Sequence, residues 1–110
     1  MSRRRRLLAD LVELRRPVDE VVGVLRSFPW DVERPLVRVR ADDVVRLLRA
    51  YLAGAVEAET VTAWADALEV RDDVDIEDGL RGFFTEASAP ELFQPVSAAF
   101  AARWLDTLSS

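Results

Sequence analysis

Apolar side chains recur at intervals of three and four residues along most of the chain, which is the spacing of a helix with one buried face. Proline, glycine and polar residues separate the stretches that show this spacing. The pattern therefore predicts an all-α fold, a compact single-domain bundle of five or six short helices over residues 1–110. The periodic stretches are Leu7 to Leu14, Val18 to Leu25, Val44 to Leu52, Val61 to Leu68, Ile76 to Ala87 and Phe100 to Leu108.

The segment from Arg40 to Val74 is the expected centre of the bundle, because it reads as two helices joined by one sharp turn. Gly54 stands at the turn, where a residue without a Cβ can adopt a left-handed conformation. The apolar stripe before the turn is wide, which indicates burial from more than one side. The residues expected in the core are Leu48, Leu52, Trp64, Leu68, Phe83 and Phe84.

Prolines set the expected limits of several helices. Pro17 suits the first turn of a helix that ends near Ser27, and Ser97 can cap the last helix after Pro95. Two further prolines favour one extended loop over residues 28–39, with Trp30 as its anchor on the bundle. A short strand at residues 36–39 fits this loop, but no partner strand is evident.

The N-terminus carries four consecutive arginines, Arg3 to Arg6. We expect residues 1–6 to form a solvated basic tail, with contact to phosphates or an anionic membrane as the alternative. Arg6 and Asp10 have the spacing of a helical ion pair. Asp10 and Glu13 interrupt the apolar run that an export signal would need, so a cytoplasmic location is expected.

The composition excludes several kinds of site. The chain has no cysteine, no histidine and no lysine, since all fifteen basic residues are arginine. Disulfides, histidine-based triads, histidine-ligated zinc and lysine-dependent phosphate loops are therefore ruled out. Chemistry by carboxylates alone remains open, as in glycosidases or magnesium-dependent hydrolases, but no catalytic constellation is visible. We expect a protein that is not an enzyme and that carries no cofactor.

Charge is unevenly distributed around a net value of −5. Residues 1–49 hold twelve arginines against eight acids, and residues 50–110 hold three arginines against twelve acids, so the halves carry +4 and −9. This asymmetry favours a basic protein partner. Nucleic-acid binding through the arginine-rich half is the disfavoured alternative, since the pI is about 4.7. Its candidate contacts are Arg38, Arg40, Arg46 and Arg49.

Six acids crowd the ten residues from Glu69 to Asp78, hereafter the acidic segment. A calcium loop does not fit, because position 6 of the best register is Asp78, where glycine is required, and position 12 is Phe84. One interpretation is that Asp72, Asp73 or Asp75 caps the following helix. The other is that the segment meets a basic partner through Arg71, Asp72, Asp73, Asp75, Glu77 and Asp78.

Four short motifs occur in a fixed order: FPWD at Phe28 to Asp31, LVRV at 36–39, YLAG at Tyr51 to Gly54 and WADALEVRDDV at Trp64 to Val74. Over residues 17–110 the chain thereby resembles small helical bacterial proteins that are loosely similar to immunity proteins of the colicin and pyocin type. The resemblance implies a cytoplasmic protein that binds and neutralises a toxin domain, with acidic side chains that mimic nucleic acid. It carries over to Arg71, Asp72 and Asp73 alone.

The chain departs from that pattern after the turn glycine. The usual hydroxyl cap is missing between Ala55 and Glu59, so Glu57 is expected to cap the next helix poorly or not at all. Taken together, these observations predict a non-catalytic interaction protein, with toxin neutralisation as its most specific form and a general helical adaptor as the alternative. No apolar run is long enough to span a bilayer, and no membrane insertion is expected.

Overall fold

Helices dominate the structure, a computed structural model that describes residues 2–28 and 34–109. The described ranges contain six helices and one pair of short strands, which confirms the all-α bundle with only a small sheet added. The elements are α1 (Arg3–Glu13), α2 (Val18–Leu25), β1 (Val37–Val39), α3 (Ala41–Leu52), α4 (Ala58–Glu69), β2 (Val74–Ile76), α5 (Arg81–Ser88) and α6 (Ala98–Ser109).

The second helix of the predicted hairpin, α4, lies at the centre of the core. It packs against α1, α2, α3 and α5, and its inward residues Val61, Trp64, Ala65 and Leu68 are completely buried. The indole Nε1 of Trp64 donates hydrogen bonds to the carbonyl oxygens of Leu11 and Val12, at 2.9 and 3.3 Å. The largest core side chain therefore also ties α4 to the end of α1, where the last carbonyls lack partners within the helix.

The turn between α3 and α4 agrees with the sequence-based prediction. Gly54 has a φ of +81°, the left-handed conformation expected of it. Glu57 precedes α4 and makes no side-chain capping bond, as the missing hydroxyl predicted. One core prediction is wrong: Leu52, the last residue of α3, is 46% exposed, because it lies at the edge of the inward face that Val44, Leu47 and Leu48 define. The other five expected core residues are fully buried.

The strand predicted without a partner has one. Val37, Arg38 and Val39 of β1 pair in parallel with Val74, Asp75 and Ile76 of β2. Parallel strands need a long connection between them, and here the α3–α4 hairpin supplies it. The sheet places the acidic segment beside the end of the 28–39 loop, and Trp30, the predicted anchor of that loop, lies outside the described residues.

The same pairing corrects the start of the next helix. Ile76 matches the helical spacing of the stretch that follows it, but it is a buried strand residue of β2. Gly79, with a φ of +92°, turns the chain, and α5 begins only at Arg81. None of the aspartates proposed as caps serves this helix, because its N-terminal flanking residue is Leu80 and no side chain caps it.

The arginine cluster is not a free tail. Residues 3–6 form the first turn of α1, and the hydroxyl of Ser2 accepts a hydrogen bond from the backbone N–H of Arg5 at 3.1 Å. The expected pair of Arg6 with Asp10 is replaced by one between Asp10 and Arg15, 3.8 Å apart. The basic tail was therefore a wrong prediction, since contacts from this turn to residues far along the chain hold it in place.

At the other end of the chain, the expected cap of α6 is confirmed. The hydroxyl of Ser97 accepts a hydrogen bond from the backbone N–H of Phe100 at 3.2 Å. Phe83 of α5 packs edge-on against Trp104 of α6, with ring centroids 5.9 Å apart. The Trp104 ring can lie against α5 here because Gly82 has no side chain: a Cβ at that position would lie 3.2 Å from the ring.

Candidate functional site

Asp73, the residue just before β2, is the one buried charged side chain of the described chain, at 1% exposure. Arg71 donates to both of its carboxylate oxygens, from Nε at 2.8 Å and from Nη2 at 2.9 Å. Arg4 of α1 donates from Nε to Oδ2, also at 2.9 Å. The three side chains form one ionic cluster, called here the Asp73 cluster, in which two guanidinium groups face one carboxylate.

Burial of Asp73 on its own raises the pKa of the carboxyl, since the charged form loses solvation. The hydrogen bonds from Arg71 and Arg4, together with the attraction of their charges, outweigh that effect and hold the pKa below its ordinary value of 3.8. Asp73 is therefore ionised at neutral pH and serves to join α1 to β2. It cannot form part of an exposed partner surface, and neither can the guanidinium face of Arg71 that is bound to it.

Glu77, immediately after β2, has a second structural role. Its Oε2 accepts a hydrogen bond from the backbone N–H of Ala41 at 2.7 Å, at the first residue of α3. A carboxylate at this position satisfies an otherwise unpaired donor and complements the positive end of the helix. An acid of the segment thus does cap a helix, but the helix is α3, which precedes the segment, and not α5, which follows it.

Two further acids of the segment contact neighbouring elements. Asp75 on β2 pairs with Arg38 on β1, 2.8 Å apart, and both side chains are about half exposed. Glu69 at the end of α4 accepts a hydrogen bond from the Ser88 hydroxyl at the end of α5, at 2.7 Å. These contacts account for four of the six acids as links between elements.

The remaining two acids, Asp72 and Asp78, are exposed and make no side-chain ion pair with any described residue. The three residues of β2 and their flanks separate them, which corresponds to roughly 20 Å of extended chain. The acidic segment is thus not one uniform surface. Its outward charge is divided between the two ends of a strand.

Asp72 lines a pocket of about 240 Å³ between α2 and the C-terminal end of α4. Apolar side chains from both helices, among them Val22, Leu25 and Val70, form much of its wall, and the Asp73 cluster lies at one side. A second exposed acid, Asp66 of α4, lines the same pocket and has no ion-pair partner within the described ranges. The structure therefore brings Asp66 and Asp72 together.

Asp66 is not among the site residues that the sequence predicts, although its position on the helix contains a usable signal. The buried positions 61, 64, 65 and 68 define the inner face of α4, and positions 59, 63, 66 and 70 then fall on the opposite face. Asp66 precedes the acidic segment by three residues and was not counted with it. The helical period, and not the local density of acids, identifies it.

Several arginines proposed as nucleic-acid contacts are already engaged within the protein. Arg38 pairs with Asp75, and Arg46 pairs with Asp43 at 2.7 Å. In the cluster at the N-terminus, Arg4 binds Asp73 and Arg5 donates to the carbonyl oxygen of Leu36 at 3.0 Å. Arg4, Arg5 and Arg38 therefore join separate elements, whereas Arg46 pairs within α3.

Among residues 2–28 and 34–109, no three or more acidic side chains converge in a way that could hold a metal ion. Over those ranges, none of the helices has both the length and the apolar character that crossing a membrane requires. Comparisons of the chain with protein-family models, with curated proteins and with solved structures found no match.

Proposed function

We propose that this chain is a non-catalytic binding protein for a basic protein partner, and that its most specific activity is the neutralisation of a bacterial toxin domain. The observation that carries the proposal is that Asp66 and Asp72 line the same pocket. Both are exposed, and neither has a cationic partner in the described structure. Two exposed carboxylates without an ion pair at the rim of a partly apolar pocket favour a partner that offers basic and apolar groups together.

The internal use of arginine supports the same proposal. Arg4 and Arg71 line the pocket, but both are bound to Asp73. Arg26 is the one arginine at the pocket without an ion pair to a described residue. The resemblance of the RDD motif to immunity-type proteins points in the same direction, with a change of roles: Asp72 is the residue offered to a partner, and Asp73 holds the fold.

Co-expression tests the proposal directly. The gene next to the one that encodes this chain is the candidate toxin gene. It is expressed in cells with and without this chain, and survival of cells that would otherwise die supports toxin neutralisation. A variant with Asp66→Asn and Asp72→Asn should lose protection while its melting temperature stays close to that of the parent, since exposed substitutions change stability by only about 0.5 kcal/mol. Asp42→Asn is the matched control, because Asp42 is an exposed acid of α3 outside the pocket.

Two results would contradict the proposal. Either the neighbouring product is harmless and does not bind this chain in a pull-down, or the double variant protects as well as the parent. Binding without protection would instead support the adaptor alternative, in which the same acidic rim recruits a basic protein that is not a toxin.

A further inference from the structure

The outer face of α4 is an unpartnered helix face. The inner face is filled by Trp64 and its neighbours, whereas positions 59, 63, 66 and 70 form a line along the outside of the helix. Glu59 and Asp66 on this line are exposed, Ala63 is half-buried, and Val70 is 67% exposed at the end. The helix is 12 residues long, so this face extends over about 18 Å.

Three depressions flank this line and share its residues. One of about 630 Å³ lies between α4 and the turn that joins α1 to α2, and one of about 470 Å³ lies between α4 and the connection from α5 to α6. Glu59 and Ala63 line both. The pocket at Asp72 is the third depression. Asp66 lines this pocket and also the recess of about 470 Å³. The outer face of α4 is therefore a low ridge with recesses on both sides.

The charges around this ridge are predominantly acidic once internal pairs are subtracted. Arg15 and Arg16 line the first recess, but they pair with Glu13 and Glu20 respectively. Arg4 and Arg71 share the single carboxylate of Asp73, so that cluster keeps one positive charge. Among described residues, the lining acids without an ion pair are Asp19, Glu59, Asp66 and Asp72, against Arg26 and the charge of that cluster, which leaves an excess of two negative charges.

We propose that the partner lays a basic amphipathic helix along this outer face of α4, an inference that rests on the proposed function and specifies the partner's docking element. Glu59 and Asp66 are seven residues apart, so their carboxylates repeat at about 10.5 Å, the rise of two helical turns. Arginines or lysines seven residues apart on the partner helix match that spacing. Its apolar side chains enter the recesses, and the small side chain of Ala63 allows the two helix axes to approach closely.

The same charges argue against two other occupants. A second copy of this chain docked through the same face would place Glu59 and Asp66 against their own equivalents, and like charges facing each other are destabilising. Nucleic acid would bring phosphates against the same carboxylates. A basic helix meets the charge of the ridge and the shape of the recesses at once.

A synthetic helical peptide of about 18 residues, with leucines on one side and flanking arginines seven residues apart, is the probe. The chain contains no cysteine, so Val70→Cys gives a single site for an environment-sensitive fluorophore at the end of the ridge. Ala99→Cys, at an exposed position of α6, gives the control label. A saturable fluorescence change is expected at position 70 and not at position 99, and a peptide with glutamate in place of arginine should cause none.

Charge reversal makes the test specific. Glu59→Arg combined with Asp66→Arg should weaken peptide binding by about tenfold or more at low ionic strength and by less at high salt. Asp42→Arg with the same label should leave binding within about twofold of the parent, since Asp42 lies on α3. Equal signals at the two labels, no saturable signal at position 70, or affinity unchanged by the double reversal would overturn the proposal. Dimerisation of the labelled chain without peptide would do so as well, in favour of a second copy.

A comparison of variants at Glu59 and Asp72 distinguishes a failure of this inference from a failure of the proposed function. If a captured toxin is released by Asp72→Arg but still binds the Glu59→Arg variant at parental affinity, the proposed function stands and the helix-docking inference is rejected. If the peptide binds as expected but the neighbouring product neither binds nor harms cells, the docking face stands and toxin neutralisation is rejected.

Discussion

The Nε of Arg4 lies 2.9 Å from Oδ2 of Asp73, a residue 69 positions further along the chain. Arg4 is 12% exposed and Asp73 is 1% exposed, so this ion pair is almost completely removed from solvent. It joins the first turn of α1 to the start of β2. Arg71, two residues before Asp73 in the sequence, completes the cluster. Residues that look like a basic tail and an acidic patch in the sequence are thus partners in one internal contact.

Removal of the carboxylate should therefore destabilise the protein strongly. Asp73→Ala leaves two guanidinium groups facing each other with no anion between them, and loss of one partner of a buried pair costs about 3–5 kcal/mol. We expect a value near the lower end, because Arg4 and Arg71 retain some contact with water. Urea unfolding measures the change, and the adjacent exposed substitution Asp72→Ala should change stability by no more than about 0.5 kcal/mol. Equal effects of the two would contradict the structural role of Asp73.

The lowered pKa of Asp73 also predicts a pH dependence. Since the folded-state pKa lies below the ordinary value of 3.8, the unfolded chain binds this proton more readily, and the stabilisation is present above that value and lost as pH falls through the folded-state pKa. Asp73→Asn, which resembles the protonated acid, should be less stable than the parent at about pH 7, and the difference should shrink as the pH falls below 3.8. A gap in unfolding free energy that stays constant over this range would show that Asp73 does not titrate as described.

The sequence predicted the elements that have a helical period, and of the two short strands it predicted β1 without its partner and missed β2. Trp64 and Leu68 are core residues because a helical stripe of apolar side chains must be buried, and this rule needs no knowledge of the rest of the fold. β2 has three residues, too few for alternation to be recognised, and the partner of each strand is distant in sequence, so their pairing could not be predicted. Burial of Asp73 and exposure of Asp72 likewise depend on where Arg4 lies in space.

Trp64 offers a test of the core. Trp64→Ala should cost about 3–5 kcal/mol, because it leaves a cavity beside Phe84, whose ring is stacked 5.5 Å from the indole. That is a large part of the stability of an ordinary domain, about 5–15 kcal/mol. Trp64→Phe fills most of the space but removes the indole donor from the Val12 carbonyl and one of the two donors of the Leu11 carbonyl, at a cost of about 1–3 kcal/mol. In thermal melts the melting temperature should be lowest for Trp64→Ala, higher for Trp64→Phe and highest for the control Phe93→Ala, whose side chain is exposed. A Trp64→Ala variant that melts like the parent would place Trp64 outside the core.

Two glycines should respond in opposite directions to the same substitution. Gly23 lies inside α2 with open space around its Cα, so Gly23→Ala should stabilise the protein by about 0.5–1 kcal/mol through higher helix propensity. Gly54 also has open space but has a φ of +81°, so Gly54→Ala should destabilise it by about 1–2 kcal/mol. Differential scanning calorimetry of both variants checks the pair. A melting temperature that rises with Gly54→Ala would mean that the turn does not require the left-handed conformation.

The last prediction concerns the way in which Asp66 and Asp72 act on a basic partner. Both are exposed at the rim of the pocket, and exposed charges act mainly by long-range attraction, so Asp66→Arg with Asp72→Arg should lower the association rate by about tenfold or more at low salt and much less at high salt. A carboxylate buried against a partner cation behaves differently: its loss raises the dissociation rate and costs about 2–5 kcal/mol, with little dependence on salt. Surface plasmon resonance over a range of salt concentrations distinguishes the two, with a melt of the same variant as a control for folding. If both rate constants match those of the parent at every salt concentration, neither acid takes part in recognition, and the acidic rim must be dropped from the proposed function.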